Sequence, residues 1–224
     1  MTKQYTLKRT ATVPTLNADW NDPVWQQANT ESIEHLVRSD SGFQPKSIKF
    51  RLLHDEDAMY GIFRVEDQYV TSVVTEFQGS VCRDSCCEIF FQPTSNGYFN
   101  LEMNAGGNFL LYYIRDCSRG ENGGFKDFTV LPLEHWKMVS VKTDKPSVIT
   151  PEITTPTKWT VQFAVPRKLM EIYAGPLGQF SGQTWKGNLY KCADKCSHPC
   201  WVCWNPIPYL SHHLPEYYAP FIME

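Results

Sequence analysis

Apolar and polar residues alternate over two long stretches of the chain, and the alternation stops where turn residues cluster. In "SIKFRLLHDEDAMYGIFRVED" (47–67) the period of two runs on both sides of "HDED". It predicts two strands joined by a tight acidic turn, with Ile48, Phe50 and Leu52 on one face. In "DSCCEIFFQPTSNGYFNLEMNAGGNFLLYYIRD" (84–116) the pattern is interrupted by "SNG" and "NAGG", turn sequences that predict three antiparallel strands in meander order. "HWKMVSVKT" (135–143) and "KWTVQFAVP" (158–166) each predict one further strand.

Helical periodicity is scarce. "NADWNDPVWQQA" (17–28) predicts a loop feeding a short helical turn, with Asp22 as cap, Pro23 at the first position, and Trp25 and Ala28 three apart. "PRKLMEIY" (166–173) predicts a short helix with Pro166 at its first position. The Pro-rich "KPSVITPEITTPTK" (145–158) reads as a surface crossover between strands. Many short strands at close spacing predict an all-β chain: an antiparallel β-sandwich, jelly-roll-like, with one or two short helices, folded as one domain over residues 1–224.

Composition narrows the function classes. A chain of 224 residues with 42% hydrophobic and 20% charged residues can bury a sizeable core without covalent staples. The net charge of −3, with no block of Lys or Arg, argues against a nucleic-acid partner. No run of about 18 apolar residues predicts a membrane span. "MTKQYTLKRTATVPTL" lacks the apolar core of an export signal, so the chain as written is expected in the cytoplasm, and outside the cell only if a leader precedes it. Its 8 cysteines are then expected to be reduced.

Candidate chemistry lies in three places. "KCADKCSHPCWVCW" (191–204) gathers Cys192, Cys196, Cys200 and Cys203, and free thiols, a disulfide or a metal site are all compatible with it; only "CWVC" has the spacing of a zinc knuckle. On the strand after Asp84, period two puts Asp84, Cys86, Glu88 and Phe90 on one face, while Cys87 must point the other way. The next strand carries Glu102 and Asn104 on a common face, so acids and an amide could gather or form a solvated surface balanced by Arg115. Thirdly, Trp185, Tyr190, Trp201, Trp204, Tyr209, Tyr217 and Tyr218 crowd the C-terminal region among Lys191, His198, His212 and His213. Flat rings beside polar groups suit core packing and sugar binding alike. No GxGxxG, GxxxxGK, GxSxG or HExxH motif is present.

Taken in order, "NDPVWQQA", "FRLLHDEDAMYGIFRVED", "DSCCEIFFQP", "YFNLEMNAGG" and "GNLYKCADKCSHPCWVCWNP" resemble the carbohydrate-binding module family 9-like group, part of the wider DOMON-like sandwich assemblage. The resemblance implies a β-sandwich that binds a mono- or oligosaccharide without cleaving it, with structural calcium. It also implies a sugar end held between two tryptophan rings, but the two ring positions fall at Val81 and near His212 here. The expected stacking surfaces are therefore Trp201, Trp204 and Tyr190. The expected hydroxyl partners are Asp84, Glu102, Asn104, Arg115 and Lys191, with His212 at the second ring position. Two alternatives are carried: a glycoside hydrolase-associated enzyme using the carboxylate cluster, and a metal- or haem-binding DOMON-like protein using zinc at the cysteine-rich segment or Met103, His198, His212 and His213.

Overall fold

A computed structural model describes residues 3–224. In chain order the strands are β1 (Tyr5–Arg9), β2 (Glu31–Ser32), β3 (His35–Ser39), β4 (Ser47–His54), β5 (Ala58–Asp67), β6 (Val70–Ser72), β7 (Cys86–Thr94) and β8 (Gly97–Asn104). They continue as β9 (Phe109–Arg119), β10 (Phe125–Val130), β11 (Ser140–Thr143), β12 (Ile149–Ile153), β13 (Thr157–Pro166), β14 (Thr184–Cys192), β15 (Cys200–Cys203) and β16 (Ala219–Met223). Two short helices, α1 (Leu133–Trp136) and α2 (Arg167–Ala174), complete the pattern.

The strands form a β-sandwich. One sheet runs β10-β9-β8-β7-β14-β16-β1, with β15 paired to the last residues of β14 and β3 paired to β15; the other runs β1-β4-β5-β13-β11, with β2 on β4. β1 belongs to both. Tyr5 to Leu7 pair with Phe221 to Met223, and Lys8 and Arg9 then pair with Leu53 and His54. Both pairings are parallel, which the antiparallel expectation did not include. A small β6/β12 pair lies apart from the two sheets.

Local chemistry explains the elements. At the β4/β5 turn the Asp55 Oδ1 accepts from the backbone N–H groups of Asp57 and Ala58 at 2.7 and 2.8 Å, closing the predicted acidic turn. Asp22 Oδ1 accepts from Val24 N–H and Pro23 begins the following turn, as expected, although that turn is 3₁₀. Ile48, Phe50 and Leu52 face the sandwich interior, where they meet Phe63, Trp159 and Phe163 of their own sheet and Ile89, Phe91, Phe99, Leu101, Trp185 and Trp204 of the other. Full burial of a large apolar side chain contributes about 1.5–3 kcal/mol.

Three local expectations change. Residues 135–143 are not one strand: Pro132 starts the single turn of α1, and the Trp136 ring stacks on Phe109 at 4.2 Å, so only residues 140–143 extend. Pro166 is not the first helical residue, because it still pairs with Ala58 at the end of β13 and caps α2 from outside. Within the expected crossover, Ile149–Ile153 form β12 and pair with β6.

Candidate functional site

Register places the chemistry on the outer face of the larger sheet. Tyr190 of β14 lies opposite Glu88 of β7, and Glu88 lies opposite Glu102 of β8. One step along, Trp201 lies opposite Cys192, Cys192 opposite Cys86, and Cys86 opposite Asn104. Period two keeps all of these on one face, with Cys87, Ile89, Lys191 and Val202 on the other.

The segment between β15 and β16 folds over this face. Asn205 N–H donates to Asn188 Oδ1 at 2.9 Å, and Asn188 Nδ2 returns a bond to Asn205 O at 2.9 Å. Tyr190 O–H donates to His212 O at 3.0 Å, and the His212 ring lies stacked on Tyr190 with centroids 4.0 Å apart. Tyr98 O–H meets His213 Nδ1 at 2.8 Å. Burial pushes His213 down to about 3, so its ring is neutral.

Between this loop and the sheet lies a cavity of about 190 Å³, lined by Cys82, Glu88, Glu102, Arg119, Cys192, Asp194, Trp201 and residues 210–213. Cys192 also belongs to a buried apolar cluster with Val74, Val81, Cys86 and Leu110, against which Cys82 and Trp201 of the lining pack. The Trp201 ring is half-buried at the mouth, 4.4 Å from the His212 ring, and its Nε1–H donates to Asp194 Oδ1. A larger depression of about 490 Å³ runs along Phe43, Lys46, Glu66 and Lys158. There Glu66 pairs with Lys158 at 3.1 Å and Asp67 with Lys191 at 3.2 Å, whereas the smaller cavity is lined by Glu102 and His212, each with a buried atom that has neither a hydrogen bond nor an ion pair.

Its electrostatics are divided. Glu88 Oε2 accepts from His212 Nδ1–H at 2.8 Å, and Glu88 Oε1 accepts from the Cys192 thiol at 3.0 Å. Burial is the largest single influence and opposes the charge on Glu88, but His212, Cys192 and His213 together outweigh it and hold the carboxyl below its ordinary range. Burial, together with the adjacent Glu88 charge, pushes Glu102 well above that range. Glu102 Oε1 accepts from Asn100 Nδ2 at 2.8 Å, while Glu102 Oε2 and His212 Nε2 are buried and unpartnered. Each such group costs about 1–3 kcal/mol. The cavity therefore gathers the carboxyl groups of Glu88, Glu102 and Asp194 and two buried polar atoms that a ligand can satisfy.

Of the residues expected at a site, the structure brings Trp201, Glu102 and His212 to this cavity, with Tyr190 behind His212. The others are elsewhere. Trp204 faces the interior against Tyr5, Phe50 and Phe221, fully buried. Lys191 also points inward, with Nζ 3.2 Å from Asp67 Oδ2, an ion pair without hydrogen-bond alignment, and 3.6 Å from Cys200 Sγ. Asp84 accepts from Val73 N–H, Val74 N–H and Asn104 Nδ2 at 2.8–2.9 Å, so Asp84 and Asn104 brace a loop. Arg115 lies on the exposed sheet edge, paired with Asp127 at 2.7 Å. Arg119, Asp194 and Cys82 line the cavity without a signal in the sequence, because the loop contacts that place them there are set by tertiary folding.

The cysteine-rich segment does not converge on one point. Cys192 and Cys203 lie on the outer face, Cys200 sits beside Lys191 in the interior, and Cys196 lies 3.5 Å from Ser85 Oγ. All 8 cysteines are free. Among the residues considered as haem ligands, Met103 is in the core and His198 stacks on Tyr69 at 3.5 Å, far in register from His212 and His213. Among the described residues, one group of His, Cys, Asp or Glu side chains comes close enough to hold a cation: Cys86, Glu88 and Cys192. Two thiols and a carboxylate do not fit calcium, which takes oxygen ligands.

A family model described as carbohydrate-binding family 9 matches residues 23–223. A solved structure of a proposed carbohydrate-binding protein from Bacteroides uniformis ATCC 8492 superimposes with a TM-score of 0.85 at 21% identity, covering 100% of both chains. A carbohydrate-binding module family 9 from Caldicellulosiruptor kristjanssonii, in complex with cellotriose, superimposes with a TM-score of 0.61 at 11% identity over 99% of this chain and 94% of that one. The same module in complex with glucose gives 0.61 at 11% identity, over 99% and 96%. At these identities the likeness is one of fold. No curated protein sequence matches the chain.

Proposed function

The chain belongs to carbohydrate-binding family 9, and from that membership we propose that it holds the end of a saccharide, without cleaving it, in the cavity on the outer face of the larger sheet. The observation that carries this reading is the half-buried Trp201 ring standing beside buried oxygen and nitrogen atoms that lack partners. A sugar ring offers an apolar C–H face for the indole and hydroxyls for the polar atoms. Trp201 supplies the stacking surface. Glu102, Asp194, Arg119 and His212 Nε2 supply hydroxyl partners.

A volume of about 190 Å³ is below the roughly 300–1,000 Å³ of pockets that enclose whole ligands, so the site takes a chain end and leaves the rest in solvent. Val81 is fully buried and His212 is held on Tyr190, so the two-ring clamp implied by the resemblance is replaced by a single half-buried ring, Trp201. Affinity is then modest, in the millimolar to micromolar range, about 4 to 8 kcal/mol. Glu88 is not free to act as the base of a hydrolytic pair, because both its oxygens are engaged by His212 and Cys192.

The test is calorimetric titration with glucose and with cellotriose, the ligands of the structural neighbour, on the wild-type chain and on Trp201→Ala. Binding in the stated range that weakens by about tenfold or more in the variant is the expected result, since a lost aromatic anchor costs about 2 kcal/mol. Equal affinity in both proteins would move the stacking surface away from Trp201. Glucose released from cellotriose would replace binding with hydrolysis.

A further inference from the structure

The cavity carries a second chemistry that saccharide binding does not use. Cys86 and Cys192 are direct cross-strand partners on β7 and β14, and Glu88 follows Cys86 by two residues on the same face. Cys86 Sγ, Cys192 Sγ and a Glu88 carboxylate oxygen all lie within 4.8 Å of one another. The three side chains are fully or almost fully buried. We infer that Cys86, Cys192 and Glu88 form a binding site for a thiophilic divalent cation such as zinc, with His212 as outer partner and the fourth coordination position open to the cavity.

Geometry supports three ligands meeting at one point. Zinc at about 2.3 Å from sulfur and 2.0–2.2 Å from oxygen sets neighbouring tetrahedral ligand atoms roughly 3.6–3.8 Å apart. The Cys192 Sγ to Glu88 Oε1 separation is already 3.0 Å, and the other pairs fall within the 4.8 Å bound, so side-chain adjustment suffices. Ligand type selects the metal: thiolates favour zinc and other soft cations over calcium or magnesium. The outer shell is in place, because His212 Nδ1–H holds Glu88 Oε2 at 2.8 Å and leaves Oε1 turned toward Cys192.

The surroundings of the three ligands are polar and incompletely satisfied. Glu102, opposite Glu88, has a buried and unpartnered Oε2, and His212 Nε2 is likewise unpartnered. Two carboxyl groups and two thiols thus share a buried site whose one permanently cationic lining residue is Arg119. On binding, each thiol gives its proton to solvent; the two thiolates and the Glu88 carboxylate then exceed the ion's two positive charges by one, with no change in oxidation state. Two sulfurs and one oxygen leave a position for water or a ligand hydroxyl, the arrangement of an open rather than a sealed zinc site.

The experiment measures zinc bound per chain on reduced, saccharide-free protein by native mass spectrometry, followed by cobalt(II) titration. The expected outcome is one ion per chain and a near-ultraviolet thiolate-to-cobalt absorption. Cys192→Ser and Glu88→Gln should each weaken binding more than about 100-fold, and His212→Ala about 10- to 100-fold, as outer partners do. Cys117→Ser and the double variant Cys196→Ser/Cys200→Ser should leave it unchanged. No stoichiometric ion on fully reduced protein, or an ion lost with Cys196 and Cys200 but kept without Cys192, overturns the assignment. If the variants do not fold, the wild-type unfolding midpoint decides: it should rise with zinc concentration, and an unchanged midpoint counts against the site. Saccharide titrations on chelator-treated protein keep the two proposals separable.

Discussion

The two faces of the larger sheet are both buried, yet they are built to different rules. On the inner face nearly every position is apolar and meets the second sheet, and its one charged residue, Lys191, is matched to Asp67. On the outer face the same strands present Glu88, Glu102, Asn100 and Asn104 beneath a loop, and Asn100 Oδ1 and Glu102 Oε2 find no partner among the described residues. Burial alone therefore does not mark a core. An unpartnered atom of the inner face, such as Trp204 Nε1, belongs to a side chain packed among apolar ones, whereas Glu102 Oε2 belongs to a residue that lines a cavity a ligand can enter.

The largest effect that separates the faces is expected at the inner ion pair. Lys191→Met leaves Asp67 charged and alone and should cost about 3–5 kcal/mol in denaturant unfolding, with no change in saccharide affinity for the molecules that remain folded. Adding Asp67→Leu should restore most of that loss; a double variant as unstable as the single one would mean that Lys191 matters for its packing instead. Trp201→Ala should act in the opposite sense, weakening saccharide binding while leaving the unfolding midpoint within about 1 kcal/mol of wild type.

A finer test concerns Glu102 in metal-free protein. Its folded carboxyl holds a proton well above the ordinary range, because of burial and then of Glu88. As pH rises past about 4.3 the unfolded chain gives up that proton while the folded chain keeps it, so this group's contribution to stability falls with rising pH up to the raised folded value. Glu102→Gln should remove that decline and raise stability at pH 7 by roughly 1–3 kcal/mol. Loss of stability in the variant would show that the acid is charged and paired in the native protein. The smallest effect is expected for Arg115→Ala, an exposed partner of Asp127, which should alter neither the unfolding midpoint nor saccharide affinity measurably.

Alternation alone makes much of this sheet legible in the sequence. The strands around 47–67 and 84–116 follow it closely, since one face of each had to be apolar. The same rule bears on the site more than composition does. Tyr190 and Lys191 are adjacent on a strand, and Trp201 and Trp204 are three apart, so neither pair can share a face. Which member faces the cavity depends on register: Tyr190 opposite Glu88 decides it for β14, and Trp201 opposite Cys192 for β15. Arg119 and Asp194 were not legible, because a bulged pairing of β9 with β10 and a loop after β14 place them, and neither leaves a local pattern. Parallel pairing of β1 left no pattern either, since its partners are set by the far end of the chain.

That shared strand has a kinetic consequence. Tyr5 pairs with Phe221, and β16 also pairs with Gly187 to Thr184, so the last strand is the seam between the first strand and the body of the larger sheet. During synthesis, at roughly 5–20 residues per second, β1 can rest on β4 early but must leave its other hydrogen-bonding edge open until β16 emerges. Closure then waits on one of the longest sequence separations the chain offers, which places folding at the slow end for its size. Until that strand arrives, the open edges of β1 and β14 are where a nascent chain is exposed to pairing with its neighbours.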